Sequence, residues 1–289
     1  MRSPVGLIGL GNVGGRMARS LLEAGVELHV HDLDHDACAA VGELGAIVHD
    51  EPAELARAVP VLLLSLPNAD VVDEVVLGAG GLLDTMADGT ILVDMSTNRP
   101  DRTLALVAQA AERGIRMLDA PISFGGRGMV VFAGGDATDY GEAAPIFDIV
   151  AFRHYHVGDH GQGHYVKLVQ NLLSGIAIGA AAEAVAFGQR AGVDVDRMIE
   201  ALRWTGAYSG PLAGSRRMLD REYGSSRTLG MHVKDLGYVL AMGEQLGAIM
   251  PFAERVHEVF RGVYENGDPA WTQAAVIEWF DPAPTEPPA

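Results

Sequence analysis

The apolar run Val5-Gly-Leu-Ile-Gly9 leads directly into Gly9-Leu-Gly11-Asn-Val-Gly14 and then into a helical pattern, Met17–Ala24. No other feature constrains the fold as tightly as this order of strand, glycine-rich turn and helix. Glycine at those spacings permits a tight turn, lets the backbone approach a pyrophosphate and allows helix to pack closely on strand. An anion then rests on the free N–H groups of the helix N-terminus. A second strand-like run, Glu27–Asp32, ends in a carboxylate that can accept hydrogen bonds from adenosine ribose hydroxyls and would repel a 2′-phosphate. Leu33-Asp34-His35-Asp36 supplies no arginine to hold such a phosphate. The expected cofactor is therefore NAD, bound by Gly9, Leu10, Gly11, Asn12, Val13, Gly14 and Asp32.

The alternation continues along the first half. Val59–Leu66, Thr90–Asp94 and Arg116–Asp119 read as further strands, with Asp36–Leu44, Ala69–Leu77 and Arg102–Arg113 as helical segments between them. Strands separated by helices indicate a parallel sheet with helices on its faces. Met129–Ala133 and Phe152–Val157, flanking a helix around Asp139–Phe147, would extend that sheet. After Gly163 the texture changes. Tyr165–Gly192 lacks proline, is rich in alanine and leucine, and predicts one helix of about seven turns. Arg197–Leu202, Met231–Leu246 and Pro251–Tyr264 are helical as well. The expectation is an α/β Rossmann-type domain with a doubly wound, mainly parallel sheet (residues 1–160), followed by an all-α C-terminal domain (161–280). The proline-rich end, 281–289, is expected to be disordered.

Composition removes several classes of function. A net charge of −17 over 289 residues lacks the basic footprint that nucleic-acid binding needs, so no nucleic-acid partner is expected. The uninterrupted apolar runs, such as Val59-Pro-Val-Leu-Leu-Leu-Ser-Leu66, fall well short of the ~20 residues of a membrane helix. The N-terminus shows no secretory signal pattern, and a single cysteine, Cys38, fits a reducing compartment. A soluble cytoplasmic protein without a membrane partner is the expectation.

The chain carries 21 cationic residues, of which 19 are arginine and two, Lys167 and Lys234, are lysine. Arginine cannot release its proton near neutral pH, whereas lysine can when its surroundings disfavour the charge. A codon bias that spared two positions would give the same count. Lys167 and Asn171 lie four apart on the predicted long helix and so share a face. Near a helix N-terminus the dipole opposes a cation, so Lys167 should ionise less readily than a free lysine of pKa ~10.4 and can exchange a proton with a substrate hydroxyl. A solvated lysine on an amphipathic helix would show the same spacing.

The ordered set Gly9-Leu-Gly-Asn-Val-Gly14, Leu66-Pro67, Asp94-Met-Ser-Thr97, Asp119-Ala-Pro-Ile-Ser123, Gly161-Gln-Gly-His-Tyr-Val-Lys167-Leu-Val-Gln-Asn171 and Lys234-Asp-Leu236 covers nearly the whole chain. In it the sequence resembles the β-hydroxyacid dehydrogenase family, which includes 3-hydroxyisobutyrate and tartronate semialdehyde reductases and, more distantly, 6-phosphogluconate dehydrogenases. The resemblance implies an NAD-dependent enzyme that interconverts a small β-hydroxy acid and its semialdehyde or keto form. It implies Lys167 as the catalytic acid/base and Asn171 as the catalytic partner that holds the substrate. Ser123 and the backbone around Gly125 and Gly126 would receive the substrate carboxylate. Leu66, Pro67 and Thr97 would line the nicotinamide side, and Lys234 would reach the cofactor from the helical domain, closing the cleft over both ligands. A homodimer or homotetramer through the helical domain is implied in the same way.

The sequence departs from the family after Ser123. Phe124 is inserted before the glycine pair in Ser123-Phe-Gly-Gly-Arg-Gly-Met129, and several loop residues are missing. Phe124 could widen an apolar wall and Arg127 could pair with an acidic group, or either could face solvent. Gln170 stands where the family usually has asparagine, a mild exchange that keeps the amide. His154, His156, His160 and His164 invite a metal, but with Asp159 as the only nearby carboxylate, no metal is expected. Two other readings fit the same two-domain plan. An imine reductase generally lacks this lysine and uses NADPH, and a non-catalytic NAD-binding interaction protein would have no need of Lys167 or Asn171.

Overall fold

The computed structural model describes residues 3–226 and 228–283. Of the proline-rich stretch expected to be disordered, 284–289 lie outside the described residues. The chain divides into two compact units, Met1–Lys167 and Leu168–Ala289.

The first unit is built on one sheet whose strands are β1 (Val5–Ile8), β2 (Leu28–His31), β3 (Ile47–Val48), β4 (Val61–Leu64), β5 (Ile91–Asp94), β6 (Arg116–Asp119), β7 (Ile122–Gly125), β8 (Gly128–Gly134) and β9 (Arg153–Gly158). Their order is β3-β2-β1-β4-β5-β6-β8-β7, with β9 pairing β8. The first six strands of that order are parallel, whereas β8 runs antiparallel to β6 and β7 antiparallel to β8. The helices of this unit are α1 (Gly14–Glu23), α2 (His35–Gly42), α3 (Pro52–Ala58), α4 (Ala69–Leu77), α5 (Leu82–Thr85), α6 (Pro100–Ala111) and α7 (Ala137–Val150).

The parallel strands are apolar on both faces because each face is covered by helices. Side chains alternate across the sheet. Leu7, Leu63, Val93 and Leu118 pack into one core with Met17 of α1 and Phe147 of α7. Ile8, Leu62, Leu64, Leu92 and Met117 pack into the other with Leu106 of α6 and Val72 of α4. All four strand positions in the first set are completely buried, and truncating one such leucine to alanine costs about 2–5 kcal/mol.

The register aligns the strand ends. Ile8 pairs Leu64, Leu64 pairs Asp94 and Asp94 pairs Asp119, so β1, β4, β5 and β6 end on one line across the sheet. Neighbours on either side of β1 are β2 and β4, so the connections leave in opposite directions there. At such a switch point an open α/β sheet leaves a crevice beyond the strand C-termini.

The second unit is helical throughout its described residues. The helix α8 (Gln162–Arg190) begins in the first unit and continues into the second. It is followed by α9 (Val195–Leu202), α10 (Gly210–Ala213), α11 (Arg216–Leu219), α12 (Thr228–Leu246), α13 (Pro251–Asn266), a 3₁₀ turn (Gln273–Val276) and α14 (Ile277–Phe280). Ile178, Ala182 and Ala186 of α8 join Leu236, Val256 and Phe260 in its main core. By length and composition α8 is apolar enough to cross a membrane, with a mean hydropathy of 1.4 over its best window. Uninterrupted apolar runs do not reveal this property, because Gln170, Asn171 and Ser174 break them up. Core helices of globular proteins share it, and Ile178, Ala182 and Ala186 of α8 pack against α12 and α13, with 44% of that window buried.

Candidate active site

The glycine turn sits where the sheet opens. Gly9 has a φ of 95°, and a Cβ there would lie 2.3 Å from the Ser65 carbonyl oxygen. At Gly14 a Cβ would lie 1.8 Å from the Gly9 carbonyl oxygen, so the turn closes against its own backbone. Gly11 differs. A Cβ there would meet no protein atom within 4 Å, so nothing in the protein itself demands glycine at this position. A concave surface lined by Leu10, Gly11, Asn12, Gly15, Arg16 and Arg19 lies at the start of α1. Open space over the middle glycine, the start of a helix and two arginines fit a dinucleotide pyrophosphate.

Asp32, half-buried just beyond β2, accepts the Leu10 N–H on Oδ2 and the Asp34 N–H on Oδ1 at 2.8 Å. These bonds fix the carboxylate beside the glycine turn. Asp34 caps α2, accepting the N–H groups of Asp36 and Ala37 at 3.0 and 3.1 Å. The Cys38 thiol donates to the Asp32 carbonyl, and burial raises its pKa, so it stays a thiol.

Beyond β4 and β5 lie Leu66, Pro67 and Thr97. The Leu66 N–H donates to Ser96 Oγ at 2.9 Å, which ties the two loops together. Asp94 holds its own loop, accepting the Ser96 N–H at 3.0 Å and the Asn98 Nδ2–H at 3.1 Å. Asp119 does the same for the start of α8, accepting the Gly161 N–H at 2.7 Å and the His164 N–H at 2.9 Å. Burial pushes the Asp119 carboxyl up, while His164 and these N–H groups pull it back. The close fit requires glycine at 163, where a Cβ would lie 2.3 Å from the Phe132 carbonyl oxygen and 2.5 Å from that of Asp119. Lys167 follows one turn after His164, half-buried and the last residue of the first unit.

The segment that begins at Ser123 takes a form that the sequence did not announce. Ser123 pairs Val130 and Gly125 pairs Gly128, so the segment is a β-hairpin with Gly126-Arg127 as a two-residue turn. At about 3.3 Å per residue, Gly126 lies some ~10 Å along the chain from Ser123. The structure therefore does not bring Ser123 and Gly126 together as one carboxylate cradle. Phe124 is 50% exposed, and the Arg16 guanidinium lies over its ring, 5.5 Å from the centroid. Arg127 stacks on Phe152 at 5.9 Å.

In the second unit, Asn171 donates its Nδ2–H to Asp235 Oδ2 at 2.9 Å, and Lys234 Nζ lies 3.3 Å from Asp235 Oδ1. The Lys234 contact is an ion pair without hydrogen-bond geometry, because that oxygen has no hydrogen-bond partner. Asp235 lies in the Lys234-Asp-Leu236 motif, but its partner Asn171 is 64 positions away and the sequence carries no sign of the bond. Ser96, Asp94, Asp119 and Thr103 were likewise passed over, and His164 was weighed only as a metal ligand. Among the described residues no group of three or more His, Cys, Asp or Glu is placed to hold a metal. His154 bonds Tyr140 and Asp148, His156 bonds the Gly135 carbonyl, and His160 bonds the Met117 carbonyl.

An open sheet of this order, a glycine turn with an open middle position and an acidic group beyond β2 define a dinucleotide-binding dehydrogenase. The family described as the NAD binding domain of 6-phosphogluconate dehydrogenase matches residues 4–158, and that described as NAD-binding of NADP-dependent 3-hydroxyisobutyrate dehydrogenase matches 161–280. The chain is 32% identical to 2-(hydroxymethyl)glutarate dehydrogenase of Eubacterium barkeri over 284 residues, 96% of this chain and 94% of that one. It is also 32% identical to L-threonate dehydrogenase of Cupriavidus necator, over 97% of both chains. The crystal structure of 3-hydroxyisobutyrate dehydrogenase from Salmonella typhimurium superposes with a TM-score of 0.85 at 30% identity, covering 96% of this chain and 99% of that one. The chain belongs to the β-hydroxyacid dehydrogenase family, and it is an NAD-dependent enzyme acting on a hydroxy acid.

Proposed function

We propose that the enzyme oxidises a small β-hydroxy acid, 3-hydroxyisobutyrate-like in size, to its semialdehyde or keto form, with Lys167 as acid/base. The observation that supports this is the anchoring of the α8 start to Asp119 at the end of β6. That anchoring carries one of the chain's two lysines to the sheet edge where the cofactor-lining loops emerge. NAD, when bound, supplies the hydride acceptor. Lys167 Nζ takes the proton of the substrate hydroxyl as its carbon loses hydride, and returns that proton in the reverse direction. Asn171, one turn further along α8, hydrogen-bonds the substrate and holds it against the amine. Ser123 donates to the carboxylate, the Gly125 backbone two residues on in the same strand stays part of this reading, and Gly126 at the hairpin tip does not.

Asp32 favours NAD over NADP, since a ribose 2′-phosphate would face its charge and find no arginine among residues 33–36. Lys234 is carried in this reading as a cofactor contact. A homodimer or homotetramer is also part of it, supported by the exposed Val169, Leu173 and Phe187 along α8. A cytoplasmic location is consistent with the single, buried Cys38.

The test is a panel of 3-hydroxyisobutyrate, L-threonate, 2-(hydroxymethyl)glutarate and L-serine with NAD, followed by NADH absorbance, in wild type and Lys167→Ala. The variant should lose turnover by about 10³-fold or more while still binding NADH. Turnover close to wild type would remove Lys167 from its role.

A further inference from the structure

Lys167 can serve as acid/base only if the first turns of α8 hold it at a fixed distance from the nicotinamide-lining loops. Asp119 fastens that turn to β6 through the backbone. A second attachment is made by a side chain that no part of the mechanism has used. The His164 ring is completely buried, with Nε2 3.1 Å from the Ser96 carbonyl oxygen and Nδ1 2.8 Å from Thr103 Oγ1. Asp94 Oδ2 lies 4.0 Å from Nε2 and Asp119 Oδ2 lies 3.7 Å from Nδ1.

A carbonyl oxygen only accepts, so Nε2 carries a hydrogen. With that hydrogen on Nε2, Nδ1 is left as the acceptor for the Thr103 hydroxyl at 2.8 Å, which also lies 3.1 Å from the Arg99 carbonyl oxygen. Ser96 is itself the node of the cofactor-side loops, because its Oγ accepts the Leu66 N–H and its own N–H is held by Asp94. One imidazole thus joins the turn that carries Lys167 to both loops expected to face the nicotinamide.

We propose that His164 is a positioning residue for Lys167, fixing the amine relative to those loops through the bond from Nε2–H to the Ser96 carbonyl. This rests on the acid/base reading of Lys167. Phenylalanine at 164 keeps a ring of similar size but leaves the buried Ser96 carbonyl without its donor. Glutamine can place an N–H near the position of Nε2.

The experiment compares His164→Phe, His164→Gln and Lys167→Ala in the full chain, measuring kcat, KM for NAD and for the hydroxy acid, the pH profile of kcat and thermal unfolding. His164→Phe should lower kcat by about 10- to 100-fold, the scale of a misplaced catalytic group, while KM for NAD stays within about threefold. The limb of the pH profile that titrates Lys167 should move, and His164→Gln should recover most of the rate. Should His164→Phe fail to fold, Thr103→Val frees the other side of the ring and should give the same pH shift with a smaller fall in kcat. Unchanged kcat in His164→Phe, or equal losses in Phe and Gln, with Lys167→Ala inactive, would overturn the positioning role alone. Turnover retained in Lys167→Ala would overturn the acid/base reading and this proposal with it.

Discussion

Asn171 and Asp235, 64 residues apart in sequence, are joined by a hydrogen bond of 2.9 Å between two buried side chains. The carboxylate fixes which end of the amide points where. One Nδ2 hydrogen is committed to Asp235, leaving the second hydrogen and Oδ1 for a ligand.

Asp235→Ala should therefore lower kcat/KM for the hydroxy acid by about tenfold or more, matching the ~1.5–3 kcal/mol of a hydrogen bond to a charged group. Asp235→Asn keeps an acceptor and should lose much less. Steady-state kinetics with saturating NAD checks both, and equal kinetics in wild type and the alanine variant would refute the orienting role.

Two glycines of the nucleotide turn should fail in opposite ways. Gly14→Ala places a methyl 1.8 Å from a backbone oxygen, so it should destabilise the fold by about 1–3 kcal/mol or more, despite alanine's better helix propensity. Gly11→Ala meets no protein atom, so its unfolding temperature should match wild type while NADH affinity drops by about tenfold or more. Thermal unfolding and NADH fluorescence titration separate the two, and normal NADH binding by Gly11→Ala would move the pyrophosphate elsewhere.

Asp32→Ala removes the charge that faces the ribose 2′ position. The ratio of kcat/KM for NAD over NADP should fall by about tenfold or more, through both weaker NAD and better tolerated NADP. A ratio unchanged from wild type would assign the preference to other residues.

His29 Nδ1 and His49 Nε2 lie 2.8 Å apart with stacked rings, while His31 Nδ1 donates to the His49 carbonyl at 3.0 Å and Glu27 lies 3.4 Å from His29 Nε2. Burial, then the neighbouring His29, hold His49 below the usual histidine value of ~6.5. The folded chain consequently binds fewer protons than the unfolded chain in the window below that value. Stability from this site is complete above ~6.5 and declines as pH falls through the folded-state value. Unfolding temperatures between about pH 5 and 8 should show that decline, and His49→Gln should reduce it; an identical slope in the variant would place the effect elsewhere.

The fold was largely legible because the central strands β1, β4, β5 and β6 are buried on both faces and the helices between them announce their ends. The stretch Ala69–Leu77 was read to the residue, with Asn68 capping its start and Gly78 closing its end. Strand β3 was missed because Ile47–Val48 is two residues long and exposed, and α3 because its seven residues, which begin at Pro52, show little periodicity. Strand β7 was missed because Ser123-Phe-Gly125 has loop composition and becomes extended only by pairing with β8. Lys167 and Asn171 stood out through rarity and spacing. His164 and Asp235 did not, since Thr103, Ser96 and Asn171 lie 61, 68 and 64 positions from the groups they meet.

The continuity of α8 from Gln162 to Arg190 also sets what kinds of change the gene can absorb. The hairpin at Ser123–Met129 can gain or lose residues by reshaping its turn, which leaves the sheet register intact. The helix has no such freedom. One residue inserted between Lys167 and Asn171 would swing the amide about 100° around the axis. A change of length is thus absorbed at the hairpin, while between Lys167 and Asn171 the helix tolerates exchange of residues but not their addition or removal.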